Sequence, residues 1–502
     1  MKSISKSRFV SGVQCSKKIY FEYFRKDLKI PVSASTQQIF DLGHTVGALA
    51  QNCFPNGKDA TPEDFTDFKN SINQTKQWIS ENEETIYEAT FSANNALVML
   101  DILHRKDDEI WAIEVKSSTS VKDYHYQDAA FQYFVMTQSG CVPDRFFLMH
   151  INNQYVKNGE ITAEFFHLED ITNSIIEMQP WVEENFQNLL TILDAGIEPI
   201  INIGAHCSSP FGCEFSHHCW KHVPEKSVFE LTRSGNKSWQ LYENGILKME
   251  DIAEDYHLTF AQQLQVNGIK NNESYKDLAS IRDFLNAWET PLHFFDFETI
   301  FAAIPVLDGT RPYQQVPFQY SLHILNADST IIHREFLADP KDFHNPTIDP
   351  RKKMIEQMKL DFLGNGSIVT YNQSFEVGRL KELARDFPED SDFLFGLISR
   401  IVDLLVIFNK RWFYLPAMGN SASIKSVLPA IAPEFSYSYL EISDGGSASS
   451  LFHESILNND LNTAELRENL LKYCERDTYG MVVIFEYLKR ELEEYSKNEQ
   501  HG

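Results

Sequence analysis

The sequence is poor in cysteine, in basic residues and in long apolar runs. It has 7 cysteines in 502 residues. This small, odd number argues for reduced thiols or metal ligands and against a disulfide framework. No apolar run approaches the roughly 18 residues of a membrane span. The basic N-terminal stretch also lacks the apolar segment of a signal peptide. These absences predict a cytoplasmic protein with no membrane partner.

Basic residues are outnumbered: 45 Lys and Arg face 71 Asp and Glu, for a net charge of −26. This charge does not fit a protein that binds nucleic acid through a basic surface alone. Carboxylates that hold divalent cations can, however, meet phosphate through those cations. The 43% share of hydrophobic residues supports packed cores, and the length allows two or three domains.

Periodicity divides the chain into four segments. Residues 1–222 and 289–490 each alternate strand-like and helical patterns, which predicts two α/β domains. Residues 223–288 predict a helical linker, in which "ENGILKMEDIA" resembles half of a helix-hairpin-helix element. Residues 491–502 form a polar tail. An ordinary helical linker remains the alternative for the middle segment.

The first candidate site lies on two predicted strands, "ALVMLDIL" and "EIWAIEVKSS", joined by the polar turn "HRKDD". Asp101 ends the first strand, and Glu114 and Lys116 share one face of the second. Carboxylates on adjacent strands can hold Mg²⁺ or Mn²⁺. A lysine on the same face can orient or deprotonate a water molecule, or offset phosphate charge.

This order of residues resembles the PD-(D/E)XK nuclease superfamily, and two helices resemble its RecB branch. In "YHYQDAAF", Gln127 matches the conserved glutamine of that branch, and Phe131 replaces a tyrosine while retaining the capacity to stack. In "LGHTVGALA", Gly47 occupies the histidine position, so His44 is a substitute ligand or a plain helix histidine. Glu88 is either a further metal ligand or a solvated strand carboxylate. The resemblance implies a restriction-endonuclease-like fold.

Three cysteines, Cys207, Cys213 and Cys219, are equally spaced in "HCSSPFGCEFSHHCW". The RecB-like AddB-type and CRISPR-associated iron–sulfur nucleases are similar in having one cysteine before the nuclease core and three after it. That resemblance adds Cys15 and implies a four-thiolate [4Fe–4S] cluster.

Zinc is the alternative metal for this site, since it also accepts four thiolates. Neighbouring histidines could complete the zinc site instead: His206, His217 and His218. Thiols unrelated to any metal are the third interpretation. The remaining cysteines are expected to be ordinary thiols: Cys53, Cys141 and Cys474.

The second candidate site begins in "FFDFET", where Asp296 and Glu298 share one face of an apolar strand. Two carboxylates so close repel each other unless a cation lies between them. "TYNQSFE" adds Glu376, and "YCERD" places Tyr473 and Asp477 on one helix face. Such a cluster suits two-metal hydrolysis of phosphodiesters.

These motifs resemble the DEDD exonucleases of the DnaQ-like, RNase H-like fold. The resemblance implies that Asp296, Glu298 and Asp477 bind two metal ions, while Tyr473 positions the attacking water. Glu376 replaces the usual aspartate of the second motif. Asp403, in "IVDLLVIF", is a weaker candidate ligand or a helix-capping residue.

The whole chain resembles bacterial proteins that join a RecB-like iron–sulfur nuclease to an RNase H-like exonuclease domain. The resemblance implies a metal-dependent nuclease with two hydrolytic centres, acting on single-stranded DNA or DNA ends in repair, recombination or defence. RNA is a further candidate substrate. Two alternatives stay open: only the C-terminal domain is active while the N-terminal domain binds nucleic acid, or the chain is a non-catalytic nucleic-acid-binding module.

Overall fold

The structure, a computed structural model, describes residues 3–32, 34–458 and 463–499. The chain divides into two compact units, Met1–His222 and Val223–Gly502. Each unit contains a β-sheet packed against helices, so the protein is of the mixed α/β class predicted from the sequence. Within the described residues, no helix is both long enough and apolar enough to span a bilayer.

The strands of the first unit are β1 (Ile4–Ser5), β2 (Lys58–Asp59), β3 (Thr85–Ala93), β4 (Ala96–Lys106), β5 (Glu109–Lys116), β6 (Arg145–Ile151) and β7 (Phe166–Asp170). Its helices are α1 (Lys6–Gln14), α2 (Ser16–Phe24), α3 (Ala34–Gln51), α4 (Lys69–Ser80), α5 (Asp123–Gln138), α6 (Thr172–Glu177), α7 (Gln179–Ala195) and α8 (Ser216–Cys219). The sheet has the order β2-β3-β4-β5-β6-β7, and β1 pairs with β4. Antiparallel pairing joins β3 to β4 and β4 to β5, whereas β6 lies parallel to β5.

Two tight hairpins set the register of β3, β4 and β5. Asn94 and Asn95 form a two-residue loop between β3 and β4 with φ angles of 48° and 68°. Asparagine tolerates this left-handed conformation, which matches the twist of the flanking strands. Asp107, with a φ of 53°, opens the equally short turn before β5. The three strands are therefore held side by side with their polar residues in fixed rows.

Helix α5 covers this sheet with an apolar face. Phe131 is fully buried in the middle of α5. Its ring stacks on Phe9 of α1 with 4.2 Å between the ring centroids and 7° between the planes. The capacity to stack that the sequence indicates for Phe131 is therefore used inside the core, where no base has access.

The strands of the second unit are β8 (Tyr275–Lys276), β9 (Leu292–Phe301), β10 (Gln315–Leu325), β11 (Ile331–Leu337), β12 (Ile368–Thr370), β13 (Ile401–Asp403) and β14 (Phe413–Tyr414). Its helices are α9 (Lys237–Glu243), α10 (Phe260–Asn271), α11 (Leu278–Leu285), α12 (Pro350–Asp361), α13 (Gln373–Asp386), α14 (Ser391–Ile398), α15 (Leu405–Asn409), α16 (Ile424–Ile431), α17 (Gly445–Leu457) and α18 (Thr463–Glu499). The larger sheet has the order β11-β10-β9-β12-β13, and β14 pairs with β8. Strands β9, β10 and β11 are antiparallel, while β12 lies parallel to both β9 and β13.

Strand β9 is buried on both faces, which explains its run of phenylalanines. Phe294 packs into the apolar cluster that includes α18, and Phe295 and Phe297 pack into the cluster on the opposite face. Because side chains alternate along a strand, Asp296 and Glu298 share the face of Phe294. The two carboxylates are therefore directed toward α18.

The segment after the first unit has a small apolar core of its own, built around Val228, Leu241 and Val266. After α9, Gly245 adopts a φ of 80°, and a single 3-10 turn, Met249–Asp251, follows. Only at α10 does the next α-helix begin, with a capping box at its N-terminus. This segment belongs to the second compact unit.

Candidate functional site

Three carboxylates form one row across the sheet of the first unit: Glu88 on β3, Asp101 on β4 and Glu114 on β5. The strand pairs on either side place Glu88 opposite Asp101 and Asp101 opposite Glu114. Residues directly opposite in neighbouring strands share a face, so the three side chains adjoin. Glu88 has a φ of 51° where the strand pairing is interrupted, a strained conformation of the kind found at functional sites. We call this row the first carboxylate site.

Two lysines converge on one oxygen of this site. Lys116 Nζ lies 2.8 Å from Glu114 Oε1 and 2.6 Å from Asp128 Oδ2. Lys6 Nζ, from the first residue of α1, lies 2.7 Å from the same Glu114 oxygen. Asp101 Oδ2 accepts a hydrogen bond of 2.6 Å from the Val115 backbone N–H.

The second oxygen of Glu114 has no partner. Glu114 is 2% exposed, and its Oε2 is buried without a hydrogen bond in the described part of the chain. A buried carboxylate oxygen without a partner is costly, and a divalent cation is a ligand that satisfies it.

The three carboxyl groups of the first carboxylate site have widely different pKa values. Burial and the negative charge of Asp101 raise the pKa of Glu88 to about 8. Burial, followed by the charge of Glu114, raises the pKa of Asp101 to about 6. Burial also disfavours the charged form of Glu114, but Lys116 and Lys6 outweigh it and hold its pKa well below the usual range. The site therefore retains protons near neutral pH that a bound cation would displace.

Sequence reasoning missed three residues at this site. Asp128 follows the predicted Gln127 and is the residue that pairs with Lys116. Lys6 comes from a distant helix and has no local motif. His125 is buried close to Lys116; burial, followed by that lysine, lowers its pKa to about 4. Only Asp128 has a signal in the sequence: it is a charged residue in the otherwise apolar "YQDAAF" helix.

Two predicted residues are not joined to this site. Gln127 is half-buried on α5, and its side chain makes no hydrogen bond within the described chain. His44 is exposed on α3 and makes no hydrogen bond or ion pair to any described carboxylate of the row. Neither residue has a contact that supports the predicted role.

The four cysteines Cys15, Cys207, Cys213 and Cys219 line one cavity, which we call the cysteine cavity. All four thiols are free of disulfides. Cys15 separates α1 from α2, where its extended backbone ends one helix and begins the next. The cavity therefore brings together residues from both ends of the first unit.

Hydrogen bonds hold the cysteine segment against α1. Gln14 Nε2 donates to the carbonyl oxygens of His206 and Phe211, both at 2.7 Å. The Cys213 N–H donates to the Cys207 carbonyl at 3.0 Å. These bonds fix the segment beside Cys15 and shape the cavity.

The histidines near the cavity differ in position. His206 borders it, whereas His217 is exposed and His218 packs edge-on against Phe21 with 5.4 Å between ring centroids. Among the described residues, no three of the four cysteine sulfurs lie within 4.8 Å of one another. A single zinc ion with Zn–S bonds of about 2.3 Å holds its sulfurs closer than that.

The second unit gathers Asp296, Glu298, Glu376 and Asp477 in what we call the second carboxylate site. Asp296 and Glu376 share a side-chain hydrogen bond, so one of them carries a proton. Glu376 is 1% exposed, and its Oε2 is buried without a partner among the described residues. Burial raises the pKa of all four groups, to about 8 for Glu376 and about 6 for Asp477. For Asp296 and Glu298, repulsion from the neighbouring carboxylates adds to the effect of burial.

Two tyrosine hydroxyls converge on Asp477. Tyr437 donates to Asp477 Oδ1, and Tyr473 also hydrogen-bonds to this carboxylate. Tyr473 is buried, and a Cβ at Gly445 would lie 3.7 Å from its hydroxyl and 3.5 Å from Glu298 Oε2. The N-terminus of α17 therefore lies in van der Waals range of both groups.

Cys474 and Lys425 also belong to the surroundings of the second carboxylate site. Ligand atoms of Cys474, Asp296 and Glu298 lie within 4.8 Å of one another, so Cys474 is not the ordinary thiol expected from sequence. Lys425 Nζ lies 5.4 Å from the ring centroids of both Tyr437 and Tyr473. Its positive charge lowers the pKa of Glu298 against the larger effect of burial.

Asp403 acts as a helix cap. Its carboxylate accepts backbone N–H groups of Asn372 at 2.9 Å, Gln373 at 3.2 Å and Leu405 at 3.0 Å. These bonds tie the start of α13, which carries Glu376, to the start of α15. The capping interpretation offered by the sequence is confirmed.

Comparisons with known proteins find relatives without a described function. A family model described as a domain of unknown function, DUF2779, matches residues 293–423. The uncharacterized protein UU173 of Ureaplasma parvum is 28% identical over 259 residues, 47% of this chain and 36% of the relative. The uncharacterized MG366 homolog of Mycoplasma pneumoniae is 28% identical over 235 residues, 43% of this chain and 35% of the relative. The matched region thus spans about a third of the length of these relatives.

A solved structure titled "Crystal structure of SSO0001" is similar to 44% of this chain and 88% of its own, with 13% sequence identity and a TM-score of 0.21. A TM-score of this size does not define a shared fold. The match to the family of unknown function includes Asp296, Glu298 and Glu376, but it ends before α18 and Asp477.

Proposed function

We propose that this protein is a metal-dependent nuclease that hydrolyses phosphodiester bonds of DNA at two centres. One observation carries the proposal: in each unit, carboxylates from separate sequence motifs meet in a buried cluster that keeps an oxygen without a partner. Clusters of this kind are unfavourable alone and become favourable when they hold divalent cations. Single-stranded DNA or DNA ends are the proposed substrate, and RNA is a further candidate.

In the first unit, Asp101 and Glu114, with Glu88 as a further ligand, would hold Mg²⁺ or Mn²⁺. The bound cation would polarise the phosphodiester and lower the pKa of the attacking water. Lys116 is hydrogen-bonded to Glu114 and Asp128, and these carboxylates outweigh its burial and keep it protonated. We therefore assign Lys116 to charge compensation at the phosphate and not to proton abstraction. Lys6 holds Glu114 ionised for the metal.

In the second unit, Asp296, Glu298 and Asp477 would hold two cations, with Glu376 as the fourth carboxylate. The ions would supply the charge stabilisation that two-metal hydrolysis needs. Tyr473 hydrogen-bonds to Asp477 through its hydroxyl, and its buried ring fixes that hydroxyl beside Glu298. Burial raises its pKa, so it stays protonated and can orient a water molecule without removing its proton.

The residues of the cysteine cavity fit a [4Fe–4S] cluster. Four thiols line one space, and their sulfurs are spread more widely than a single tetrahedral ion requires. Burial raises the pKa of the Cys213 and Cys219 thiols, and the positive charges of Lys18 and Lys17, which also line the cavity, partly oppose this effect. We propose a structural cluster that joins the two ends of the first unit, with zinc as the alternative metal.

The proposal is tested by cleavage of end-labelled single- and double-stranded DNA and RNA with Mn²⁺, using protein purified without oxygen. Wild type is compared with Lys116→Ala and Asp296→Ala, and with Lys248→Ala and Asp255→Ala as exposed controls. We expect each site variant to lose a different set of products while both controls behave as wild type. Equal cleavage by every variant would mean that neither site cuts.

A second reading of the same assay separates the alternatives. If Asp296→Ala abolishes all cleavage and Lys116→Ala changes only binding, then the second unit is the sole nuclease. If no protein cleaves but wild type binds DNA, the chain is a non-catalytic module.

A further inference from the structure

Outside both carboxylate sites, the second unit brings together three side chains of types that bind metal ions. His323 on β10 and His333 on β11 are directly opposite in the antiparallel pair. Their rings stack with 4.4 Å between centroids and 18° between planes. Glu475 of α18 lies over the same face of the sheet, and one ligand atom from each of the three residues lies within 4.8 Å of the other two.

Hydroxyl groups already engage one nitrogen of each ring. His323 Nδ1 lies 2.9 Å from Thr478 Oγ1, and His333 Nε2 lies 3.0 Å from Ser321 Oγ. The two hydroxyl oxygens are 2.7 Å apart. Thr478 in turn donates to the Glu475 backbone carbonyl at 3.2 Å.

One arrangement of protons satisfies this chain of hydrogen bonds. When Thr478 donates its proton to the Glu475 carbonyl, it accepts from His323 Nδ1–H and from the Ser321 hydroxyl. Ser321 then accepts from His333 Nε2–H. This arrangement leaves a lone pair on His323 Nε2 and on His333 Nδ1, and neither atom makes a hydrogen bond in the described residues. Metal-binding histidines are oriented in this way, by a hydrogen bond at the nitrogen that does not bind.

We propose that His323, His333 and Glu475 form a binding site for a transition-metal ion such as Zn²⁺. Two imidazoles and one carboxylate suit zinc or a neighbouring divalent ion, whereas the all-carboxylate sites suit Mg²⁺ or Mn²⁺.

Burial and charge agree with this assignment. His323 is 3% exposed, and burial, followed by the neighbouring His333, lowers its pKa to about 3. His333 is half-buried and Glu475 is exposed, which leaves the ion a path from solvent.

The site lies on the helix that carries the second carboxylate site. Glu475 is two residues before Asp477 and two after Tyr473 on α18. A metal ion shared by Glu475 and the β10–β11 pair would fix this turn of the helix against the sheet. The inferred role is to position α18, and it holds whether or not the second unit cleaves DNA.

The test uses the full-length protein with its cysteine site loaded, kept in excess Mg²⁺. Co²⁺ is added as the probe, and binding is followed by equilibrium dialysis and by the visible spectrum. To remove binding at the carboxylate sites, the measurement is repeated in the Glu114→Gln, Asp296→Asn background. We expect wild type and the double variant each to bind one equivalent of Co²⁺ at the histidine site. The visible spectrum of this bound Co²⁺ should lack an intense thiolate charge-transfer band.

Three variants probe the ligands: His323→Gln, His333→Asn and Glu475→Gln. Each should weaken Co²⁺ binding at least about a hundredfold, since loss of an outer-shell partner alone costs about 10- to 100-fold. Glu475 is exposed, so its substitution leaves the fold intact even if His323→Gln does not. His257→Gln and Glu493→Gln, at exposed positions, are the matched controls. Unchanged binding in Glu475→Gln and His333→Asn, or a thiolate band, would overturn the assignment.

Discussion

The two carboxylate sites balance their negative charge in opposite ways. In the first, Lys6 and Lys116 hydrogen-bond directly to Glu114, which stays ionised. In the second, four carboxylates meet, and no described lysine or arginine hydrogen-bonds to any of them. Lys425, Arg379 and Arg476 lower pKa values there by their charge, without a hydrogen bond to the four carboxylates. The first site balances its charge with lysines of its own, whereas the second depends on bound protons or on metal.

The largest effect is expected from loss of one cysteine of the cysteine cavity in the first unit. Cys213→Ser should remove the iron and lower the melting temperature of the first unit by at least about 10 °C, because several kcal/mol of metal-linked folding energy is lost. The matched control is Cys53→Ser, whose half-buried thiol only contacts the Leu49 carbonyl at 3.8 Å. Iron content and calorimetry measure the outcome, and full iron in Cys213→Ser contradicts the cluster.

Substitution at the second carboxylate site should separate activity from stability. Asp296→Asn should lower cleavage by the second centre about a thousandfold, since metal stabilisation of several kcal/mol is lost at about 1.4 kcal/mol per factor of ten. In metal-free buffer the same variant should melt within about 2 °C of wild type, because the Asp296–Glu376 pair already shares a proton and the Asn side chain can donate the same hydrogen bond to Glu376. Asp255→Asn is the control; a variant that retains activity would exclude Asp296 as a ligand.

Lysine substitution sharpens the contrast between the sites. Lys116→Met should lower cleavage by the first centre about a hundredfold, the lower range for a positioned polar group. Lys6→Met should shift the acid limb of the pH–rate profile upward, because loss of the lysine raises the pKa of Glu114. Lys425→Met, at the exposed edge of the second site, should change cleavage less than about threefold. Equal losses of cleavage in all three variants would mean that lysines contribute equally to the two carboxylate sites.

The pH dependence of metal stabilisation should follow the raised pKa values. Glu376 has a pKa near 8 in the fold against an ordinary value of 4.5, so the folded state binds the proton more tightly. The free energy of unfolding without metal should therefore fall as pH rises from about 4.5 to about 8. Glu114 has the opposite sign, and its contribution is lost as pH falls below about 4.5.

Added Mn²⁺ should reverse the loss at high pH. We expect its thermal shift to grow between pH 5.5 and pH 8 by a few degrees, at about 2–4 °C per kcal/mol. Glu376→Gln should flatten this trend, and differential scanning fluorimetry measures it. A thermal shift that is constant with pH in wild type would contradict the protonated cluster.

The smallest effect is expected at the cap. Asp403→Ala removes three hydrogen bonds from the starts of α13 and α15 and should cost about 1–2 kcal/mol of stability. Because α13 carries Glu376, cleavage should fall only severalfold. Urea denaturation measures the stability, and a thousandfold loss of activity would instead favour Asp403 as a ligand.

Local sequence patterns predicted those features of the sites that depend on neighbouring residues in the chain, such as strands and the faces their side chains share. The two strands that carry Asp101 and Glu114 follow from the sequence, but β4 continues past Asp101 to Lys106, so the turn is Asp107 and Asp108 and not the whole of "HRKDD". The shared face of Asp296 and Glu298 follows from strand alternation. These pairings depend on neighbours in sequence, so periodicity is enough to find them.

Contacts between distant segments were not predictable from one sequence. Lys6 reaches Glu114 across more than a hundred residues, and no motif surrounds it. Tyr437 hydrogen-bonds to Asp477 from a single 3-10 turn, Tyr437–Tyr439, which is too short to show a periodic pattern. Cys474 resembles any buried thiol until the fold brings it beside Asp296. Packing, and not local propensity, brings these residues to the sites.

Helix α1 has a practical consequence for anyone who shortens the chain. Lys6 is its first residue and Cys15 follows its last, so nine residues, about 13 Å of helix, join the first carboxylate site to the cysteine cavity. Phe9 lies between them, buried against Phe131. Removing the first fifteen residues as dispensable would therefore take away a thiol, a counter-charge and a core ring in one cut.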